Sequence, residues 1–135
     1  MENKYNDATP QRPDGDRILD ADLVQMDLNH FVSKIKEEST WAESDRNSIT
    51  IFKSDTMRIV LLGLHQNAAL KTHQANGIIS VQVLEGKINF VTGQRTVLLE
   101  KGQMIALHEN IPHSVVALTE TFFLLTMAMN KTRNP

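Results

Sequence analysis

The chain from residue 48 onward is a series of short apolar runs separated by turn residues, and this pattern limits the available folds more than any other feature. Eight runs rich in Val, Ile, Leu, Phe and Thr follow one another with turn-forming segments between them. These runs are SITIFK, MRIVLLGLH, IISVQVL, KINFVT, RTVLLE, QMIALH, SVVAL and TFFLLTMAM. Because no helical interval separates them, they cannot be the strands of a parallel sheet. The sequence predicts an all-β antiparallel sandwich or barrel, in which closure removes exposed strand edges.

Two of the runs, IVLLGL and FFLLTM, are apolar at successive positions rather than at alternate ones. Side chains alternate between the two faces of a strand, so both faces of these strands must be buried. One face fills the interior, and the other needs a second sheet, a helix or a partner subunit to cover it. We therefore expect a homodimer.

The chain before these runs divides into a tail and a short extension. Residues 1–17 are polar and are interrupted by Pro10, Pro13 and Gly15, which predicts a disordered tail. Residues 18–45 form an N-terminal extension, and residues 46–132 form the β-barrel domain.

The extension contains one amphipathic helix. Apolar residues stand at Leu28, Phe31, Val32 and Ile35, at offsets 0, 3, 4 and 7, which is the spacing of one helix face. Asp27 precedes this pattern and is able to cap the first turn. We expect a short helix that packs by its apolar side.

Charge and composition exclude several classes of partner. The net charge is −2 and the pI is about 6.2, so no basic field is available to hold nucleic acid or an anionic membrane surface. The absence of cysteine excludes disulfides and thiolate sites, which leaves His, Asp, Glu and main-chain atoms as ligands. No stretch approaches the roughly 20 apolar residues of a membrane helix, and the first residues lack the apolar core of a secretion signal. We expect a cytoplasmic protein.

Four of the five histidines lie within the β-rich part of the chain: His65, His73, His108 and His113. They form the densest set of ligand-capable side chains in the sequence. No glycine-rich phosphate loop, Gly-x-Ser-x-Gly elbow or His-Glu-x-x-His motif accompanies them. The histidines are therefore the candidates for function.

Strand alternation and the turn residues predict where each histidine lies relative to the strands. His65 ends its run and shares a face with Ile59, Leu61 and Gly63. His73 is expected to open the strand that leads to the next turn. His108 and His113 bracket the segment ENIP, in which a proline fixes the backbone just before His113.

The segment from His73 to VLEG, followed by KGQMIALHENIPHSV, resembles the two signature segments of the cupins, which are small jelly-roll β-barrels. His73 falls on the first histidine of the first segment, and Gly86 on its closing glycine. Gly102 falls on the opening glycine of the second segment, and His113 on its histidine. The resemblance covers about residues 45 to 130 and implies a cupin-type jelly-roll β-barrel with a short N-terminal helix.

The sequence departs from the cupin pattern at the metal ligands. The second histidine of the family falls on Ala75, its glutamate on Ile79 (or Ser80 with a longer gap) and its last asparagine on Ala117. Two of the four metal ligands that the resemblance implies are therefore replaced by apolar residues. Catalytic first-row metals usually have at least three protein ligands, so completing the set would require His65 or His108.

Two glycines of the cupin turns are also replaced, by Asn67 and Asn110. Asparagine is the next-best residue for a left-handed backbone, so we expect the turns to keep their shape.

The resemblance implies a pocket inside the barrel, for which we expect His65, His73, Ile79, Val81 and His113. Alternation places Ile79 and Val81 on an interior face that is unusually apolar for the family. Met104, Met127 and Met129 are expected to fill the core or lumen. Such a pocket suits a small apolar or aromatic organic ligand.

Three functions remain open. The first is a small-molecule-binding cupin whose His73 and His113 contact the ligand or a weakly held divalent metal (iron, manganese, nickel or zinc), or no metal at all. The second is a metal-dependent cupin enzyme of dioxygenase or isomerase type, with His65 completing the metal site. The third is a barrel that serves only association, which a pocket plugged by Phe90, Phe122 or Phe123 would indicate.

Overall fold

The computed structural model describes residues 4–5 and 17–129. An N-terminal part with two short strands and two helices precedes nine further strands. In chain order the elements are β1 (Lys4–Tyr5), β2 (Ile18–Asp20), α1 (Leu28–Glu37), α2 (Ser39–Glu43), β3 (Arg46–Lys53), β4 (Met57–Leu64), β5 (Ala69–His73), β6 (Gly77–Glu85), β7 (Lys87–Thr92), β8 (Arg95–Glu100), β9 (Met104–Leu107), β10 (His113–Ala117) and β11 (Thr121–Met129).

Two antiparallel sheets carry the fold. The five-stranded sheet has the order β3-β4-β11-β6-β9, and the four-stranded sheet has the order β5-β10-β7-β8. The prediction of an antiparallel all-β domain is confirmed. Within the described residues the two sheets are separate, so the predicted jelly-roll barrel is seen as two sheets and not as one closed sheet.

Apolar side chains from both sheets pack together between them, and we call this cluster the interior core. The five-stranded sheet contributes alternate residues of β6 and β11, and the four-stranded sheet contributes residues of β7, β8 and β10. Its buried members include Leu64, Ile79, Val81, Val83, Ile88, Phe90, Leu99, Val115, Ala117 and Phe123. Alternation along β6 therefore directs its branched residues to the interior, as the sequence predicts.

The other face of the five-stranded sheet is covered by the helices. Ile35 of α1 and Trp41 of α2 pack on Ile49, Leu61 and Phe122, and all five are buried. This second apolar layer explains why β4 and β11 are apolar on both faces. The prediction of a capped amphipathic helix is confirmed, since the Asp27 carboxylate accepts a hydrogen bond from the His30 amide at 3.3 Å.

A buried asparagine joins the helices to the sheet. The side-chain amide of Asn47, at the start of β3, donates to the carbonyl of Ile35 at 3.2 Å and to the Glu38 carboxylate at 2.9 Å. Its carbonyl accepts from the amide of Ser48 at 2.9 Å. Asn47 thereby connects the end of α1 to β3.

The predicted disordered tail is described at only a few positions. Lys4–Tyr5 form a strand that pairs with Ile18 and Asp20, so this part has a regular backbone. The rest of the predicted tail, residues 1–3 and 6–16, lies outside the described residues, as do residues 130–132 of the predicted barrel. In the part of the chain that is described, no helix is long and apolar enough to cross a membrane.

Three strands were not predicted, namely β1 and β2 of the N-terminal part and β5 of the four-stranded sheet. Residues Ala69–His73 form β5, and His73 is its last residue rather than the first residue of the following strand, which begins at Gly77. The sequence ALKTH gave no strand signal because β5 is an edge strand with four exposed residues and little apolar content.

Both asparagines at the turns adopt the left-handed backbone conformation that the sequence predicts. Asn67 has φ of 72° and Asn110 has φ of 61°. Gly86 and Gly102 also have positive φ, 92° and 85°. The turns that position the histidines therefore keep their shape without two of the family's glycines.

Candidate functional site

His73 and His113 lie side by side on neighbouring strands of the four-stranded sheet. They are register partners at the paired ends of β5 and β10. Their ring centroids are 4.3 Å apart, and the ring planes are inclined by 59°. The fold thus brings together two imidazoles that are 40 positions apart in the sequence.

Backbone carbonyls fix the tautomer of both rings. Nδ1 of His73 lies 2.7 Å from the carbonyl oxygen of Lys71, and Nδ1 of His113 lies 2.9 Å from that of Ile111. A carbonyl oxygen can only accept, so each Nδ1 carries the proton and donates it. In the neutral form of each imidazole, Nε2 is then the nitrogen with a lone pair for a ligand.

The two rings differ in exposure. His113 is buried, with 4% of its surface exposed, and it stacks on Phe90 at 5.4 Å with an interplanar angle of 14°. His73 is exposed to solvent. The pair therefore runs from the interior core outward to the surface.

A cavity of about 260 Å³ lies beside the pair, and we call it the histidine cavity. Most of its lining is apolar and comes from β6, β11 and the segment after β5. The lining residues are His73, Gln74, Ala75, Asn76, Ile79, His113, Leu125, Met127 and Met129. It is an apolar site with a few polar groups, which is the usual character of a small-molecule pocket.

His65 is not part of this site. Its ring stacks on Trp41 with centroids 3.7 Å apart, and its Nε2 donates to the carbonyl oxygen of Trp41 at 2.7 Å. Alternation correctly grouped His65 with Leu61 and Gly63, but that face of β4 packs against the helices rather than against the interior. The expectation of His65 as a pocket residue or third metal ligand is therefore corrected.

Val81 also lies apart from the histidine cavity. It is 2% exposed and belongs to the interior core, but it does not line the cavity. Ile79, two residues earlier on the same face of β6, does line it. The predicted pocket residues that the structure brings together are thus His73, Ile79 and His113.

The donor set does not match the metal site that the cupin resemblance implies. Ala75 and Ile79, which stand where a histidine and a glutamate are implied, both line the histidine cavity and offer no donor. His108 is exposed, in the turn after β9. No three His, Asp or Glu side chains converge on one point in residues 4–5 and 17–129. Two imidazoles alone fall short of the three ligands of a catalytic divalent metal site.

The three phenylalanines proposed as plugs do not fill the histidine cavity. Phe122 faces the helices, and Phe123 lies in the interior core. Phe90 stacks on the ring of His113 and lines a different cavity of about 250 Å³, whose lining also includes Arg95. The space next to His73 and His113 remains open.

Sequence reasoning missed several contributors to the cavity. Gln74 and Asn76 lie in the loop between β5 and β6, and Leu125 comes from β11. Met127 and Met129 line the cavity as expected, but their place in the same lining as the histidines follows from the pairing of β11 with β6. The expectation that Met104 is a core or lumen residue is wrong, because Met104 lies on the edge strand β9 and is 55% exposed. No local sequence signal records that pairing.

Asp45, a carboxyl group whose pKa is shifted, does not belong to the cavity lining. Hydrogen bonds from the Arg46 guanidinium lower the pKa of the exposed Asp45 carboxyl. The Arg46 side chain also donates to the carbonyl oxygen of Ala69 at 2.8 Å. This contact ties the start of β3 to the start of β5.

Comparison with known proteins gives matches in structure but not in sequence. No protein-family model matches the chain, and no curated protein matches it. A conserved protein of unknown function from Streptococcus pyogenes superposes with a TM-score of 0.61 at 23% identity, over 64% of this chain and 76% of that one.

Two further matches name a fold or an activity. An RmlC-like cupin from Desulfovibrio desulfuricans superposes with a TM-score of 0.59 at 26% identity, over 64% of this chain and 84% of that one. A salicylate 1,2-dioxygenase from Pseudaminobacter salicylatoxidans superposes with a TM-score of 0.56 at 22% identity, over 62% of this chain and 26% of the enzyme. At this identity the likeness to the dioxygenase is one of fold alone.

Proposed function

The chain belongs to the cupin superfamily, and on that premise we propose that it binds a small organic ligand in the histidine cavity. The ligand has an apolar body that lies on Ile79, Leu125 and Met127. Its polar group meets His73 and His113.

The observation that carries this proposal is the pair of imidazoles at an apolar cavity. In each ring Nδ1 donates to a carbonyl oxygen, so in the neutral form Nε2 is the acceptor, and the two ring centroids are 4.3 Å apart although the residues are 40 positions apart in the sequence. Polar groups held in this way fix the orientation of a ligand, while the apolar lining supplies most of the free energy of binding.

The chemistry of the cavity restricts the ligand. A volume of about 260 Å³ lies near the lower end of the range for ligand pockets, roughly 300 Å³, and therefore favours a small molecule. Two acceptor nitrogens favour a ligand that brings a hydrogen-bond donor, such as a hydroxyl group. A phenol-like molecule, with a donor on an apolar ring, satisfies both requirements.

The test uses phenol as the probe and toluene as a control of similar size without the hydroxyl. We expect phenol to shift the NMR signals of His113 and Ile79 in a saturable titration, with toluene binding at least about tenfold more weakly. His113→Phe keeps an aromatic ring beside Phe90 but removes one of the two acceptors, so it should reduce the preference for phenol, and His73→Phe together with His113→Phe should abolish it. Equal binding of phenol and toluene, or no response at these residues, would contradict the proposal.

An enzyme of dioxygenase or isomerase type is not part of this proposal. Ala75 and Ile79 occupy the two positions from which the missing metal ligands would come, and His65 is engaged with Trp41. The match to the salicylate 1,2-dioxygenase concerns the fold and supplies no reaction for this chain.

We also propose that two copies of the chain associate through the outer face of the four-stranded sheet. Leu98 points away from its buried neighbour Leu99 and is 48% exposed, and Val91 and Val116 are half-buried on the same face. Helices cover the corresponding face of the other sheet, whereas no described element covers this one. A second copy would bury these side chains.

The cytoplasmic location remains a prediction of the sequence.

A further inference from the structure

The cavity lined by Phe90 is separate from the histidine cavity and lies between β7 and β8 of one sheet and β9 of the other. β8 and β9 are edge strands of the four-stranded and five-stranded sheets. The cavity has a volume of about 250 Å³, and we call it the arginine cavity. Its lining includes Phe90, Thr92, Arg95, Val97, Ile105 and Leu107, and none of these six residues lines the histidine cavity.

The register of β8 explains why an arginine lines an apolar cavity. Arg95 is the partner of Thr92 on β7, and Val97 is the partner of Phe90. Phe90 belongs to the interior core, and Val97 packs against that core. Residues two positions apart share a face of a strand, so Arg95 stands on the interior face of β8. It is the first residue of this edge strand, and its side chain is still exposed to solvent.

The charge of Arg95 has no counterpart in the arginine cavity. Phenylalanine, valine, isoleucine and leucine form most of the lining, and none of the described residues that line it is acidic. In residues 17–129 the Arg95 side chain makes no ion pair and no hydrogen bond. The cavity therefore combines an apolar wall with a guanidinium group that is available to an anion.

We propose that the arginine cavity binds a small carboxylic acid whose body is apolar. The carboxylate pairs with the guanidinium of Arg95, because the planar N–H groups of arginine match the two oxygens of a carboxylate. The body of the ligand lies on Phe90, Val97 and Leu107, where burial of apolar surface favours binding. A cavity of this size accommodates a single ring or a short chain.

This site does not rest on the ligand proposed for the histidine cavity, but the two cavities share a contact. Phe90 lines the arginine cavity and stacks on the ring of His113, so the signals of His113 can respond to a ligand in either cavity. Ile105 lines only the arginine cavity, and Met127 lines only the histidine cavity. The signals of Ile105 and Met127 therefore distinguish the two sites.

The experiment is an NMR titration of the full chain with benzoate, and benzamide is the uncharged control of similar size. We expect benzoate to shift the signals of Ile105 and Leu107 in a saturable manner and to leave Met127 unchanged. Benzamide should bind at least about tenfold more weakly, because it cannot form the charged pair with Arg95. Added salt should weaken the binding of benzoate and not that of benzamide, since the guanidinium is exposed.

A pair of charge-removing variants tests the role of Arg95. Arg95→Gln keeps a polar side chain at an exposed position and should lower the affinity for benzoate at least about tenfold, to that of benzamide. Lys101→Gln removes one positive charge from the exposed turn after β8, outside the cavity lining, and should leave the affinity for benzoate unchanged.

Three results would overturn the proposal. The first is equal binding of benzoate and benzamide, or no response at Ile105 and Leu107. The second is unchanged affinity for benzoate in Arg95→Gln, which would leave Arg95 as a charge that only protects an edge strand from association. The third is a response at Met127 without one at Ile105, which would place benzoate in the histidine cavity.

The outcomes for the two cavities are distinguishable. If benzoate binds as expected and phenol does not bind beside His113, the arginine cavity stands and only the ligand proposed for the histidine cavity fails. If phenol binds there and benzoate does not shift Ile105, only the arginine cavity proposal fails.

Discussion

At the scale of single residues, two glycines with a left-handed backbone differ in the space around them. Comparing alanine substitutions at the two positions therefore distinguishes backbone strain from a steric clash. Gly86 and Gly102 have similar positive φ values, 92° and 85°. A Cβ atom at Gly86 would collide with the carbonyl oxygen of Glu120 and would come within 2.8 Å of the Cα of Thr121. A Cβ atom at Gly102 would meet nothing within 4 Å.

We therefore expect Gly102→Ala to lower the free energy of unfolding by about 1–2 kcal/mol, which is the cost of placing a Cβ in a left-handed conformation. Gly86→Ala should cost at least about twice as much, because backbone atoms must also move. Urea unfolding of the two variants measures the difference. Equal losses would mean that β11 moves away from Gly86 at little cost.

The same scale shows the limit of motif matching for histidines. His73, His113 and His65 all stand at or next to the ends of strands. Matching to the cupin segments identified the first two, and the structure places them together. The local sequence does not show whether His65, which follows β4, faces the interior core or the helices, because that strand is apolar on both faces.

At the scale of elements, His65 joins α2 to the end of β4. Its ring covers Trp41 and donates to the Trp41 backbone. We expect His65→Ala to lower the free energy of unfolding by about 1–3 kcal/mol, because a carbonyl oxygen and an aromatic face lose their partner. The phenol response of His113 should remain unchanged. Loss of that response in a folded His65→Ala variant would contradict the separation of the two sites.

Asn47 sets the junction between the helices and the five-stranded sheet. Asn47→Ala should lower the free energy of unfolding by about 1–3 kcal/mol, because the Ile35 carbonyl and the Glu38 carboxylate each lose a hydrogen bond in a buried region. Gln66→Ala, at an exposed position in the turn after β4, is the control and should change it by at most about 0.5 kcal/mol. Hydrogen exchange in α1 should accelerate in the first variant only. Similar behaviour of both variants would refute the role of Asn47.

Strands with an apolar signal could be predicted from the sequence, and strands without one could not. All eight apolar runs correspond to strands, within one or two residues at their ends. β5 was missed because it is polar and exposed, and its backbone is ordered by pairing with β10 rather than by burial of its side chains. The position of His73 at the end of β5 was therefore also missed.

At the scale of the whole molecule, the proposed dimer through the outer face of the four-stranded sheet predicts a change of mass on substitution. If this face forms the dimer, Leu98→Lys should convert the protein from a dimer to a monomer, because a charge cannot be buried there without a partner. Light scattering across a dilution series measures the mass of both proteins. Thr96→Lys tests whether a charge on this face is sufficient to dissociate the dimer. Lys53→Glu, on β3, is the control outside this face. A monomeric wild-type protein at all concentrations would refute the dimer.

The sequence by itself determined the antiparallel β architecture, the capped helix and the left-handed turns at Asn67 and Asn110, and through the cupin resemblance it placed His73 and His113 in one pocket. These features follow from local periodicity, backbone preference and motif spacing. The tertiary structure alone decided that His65 faces Trp41, that β5 exists and that Met127 lies beside the histidines. Each of these depends on which face of a strand is covered or on which strands pair, and residues distant in the sequence fix both.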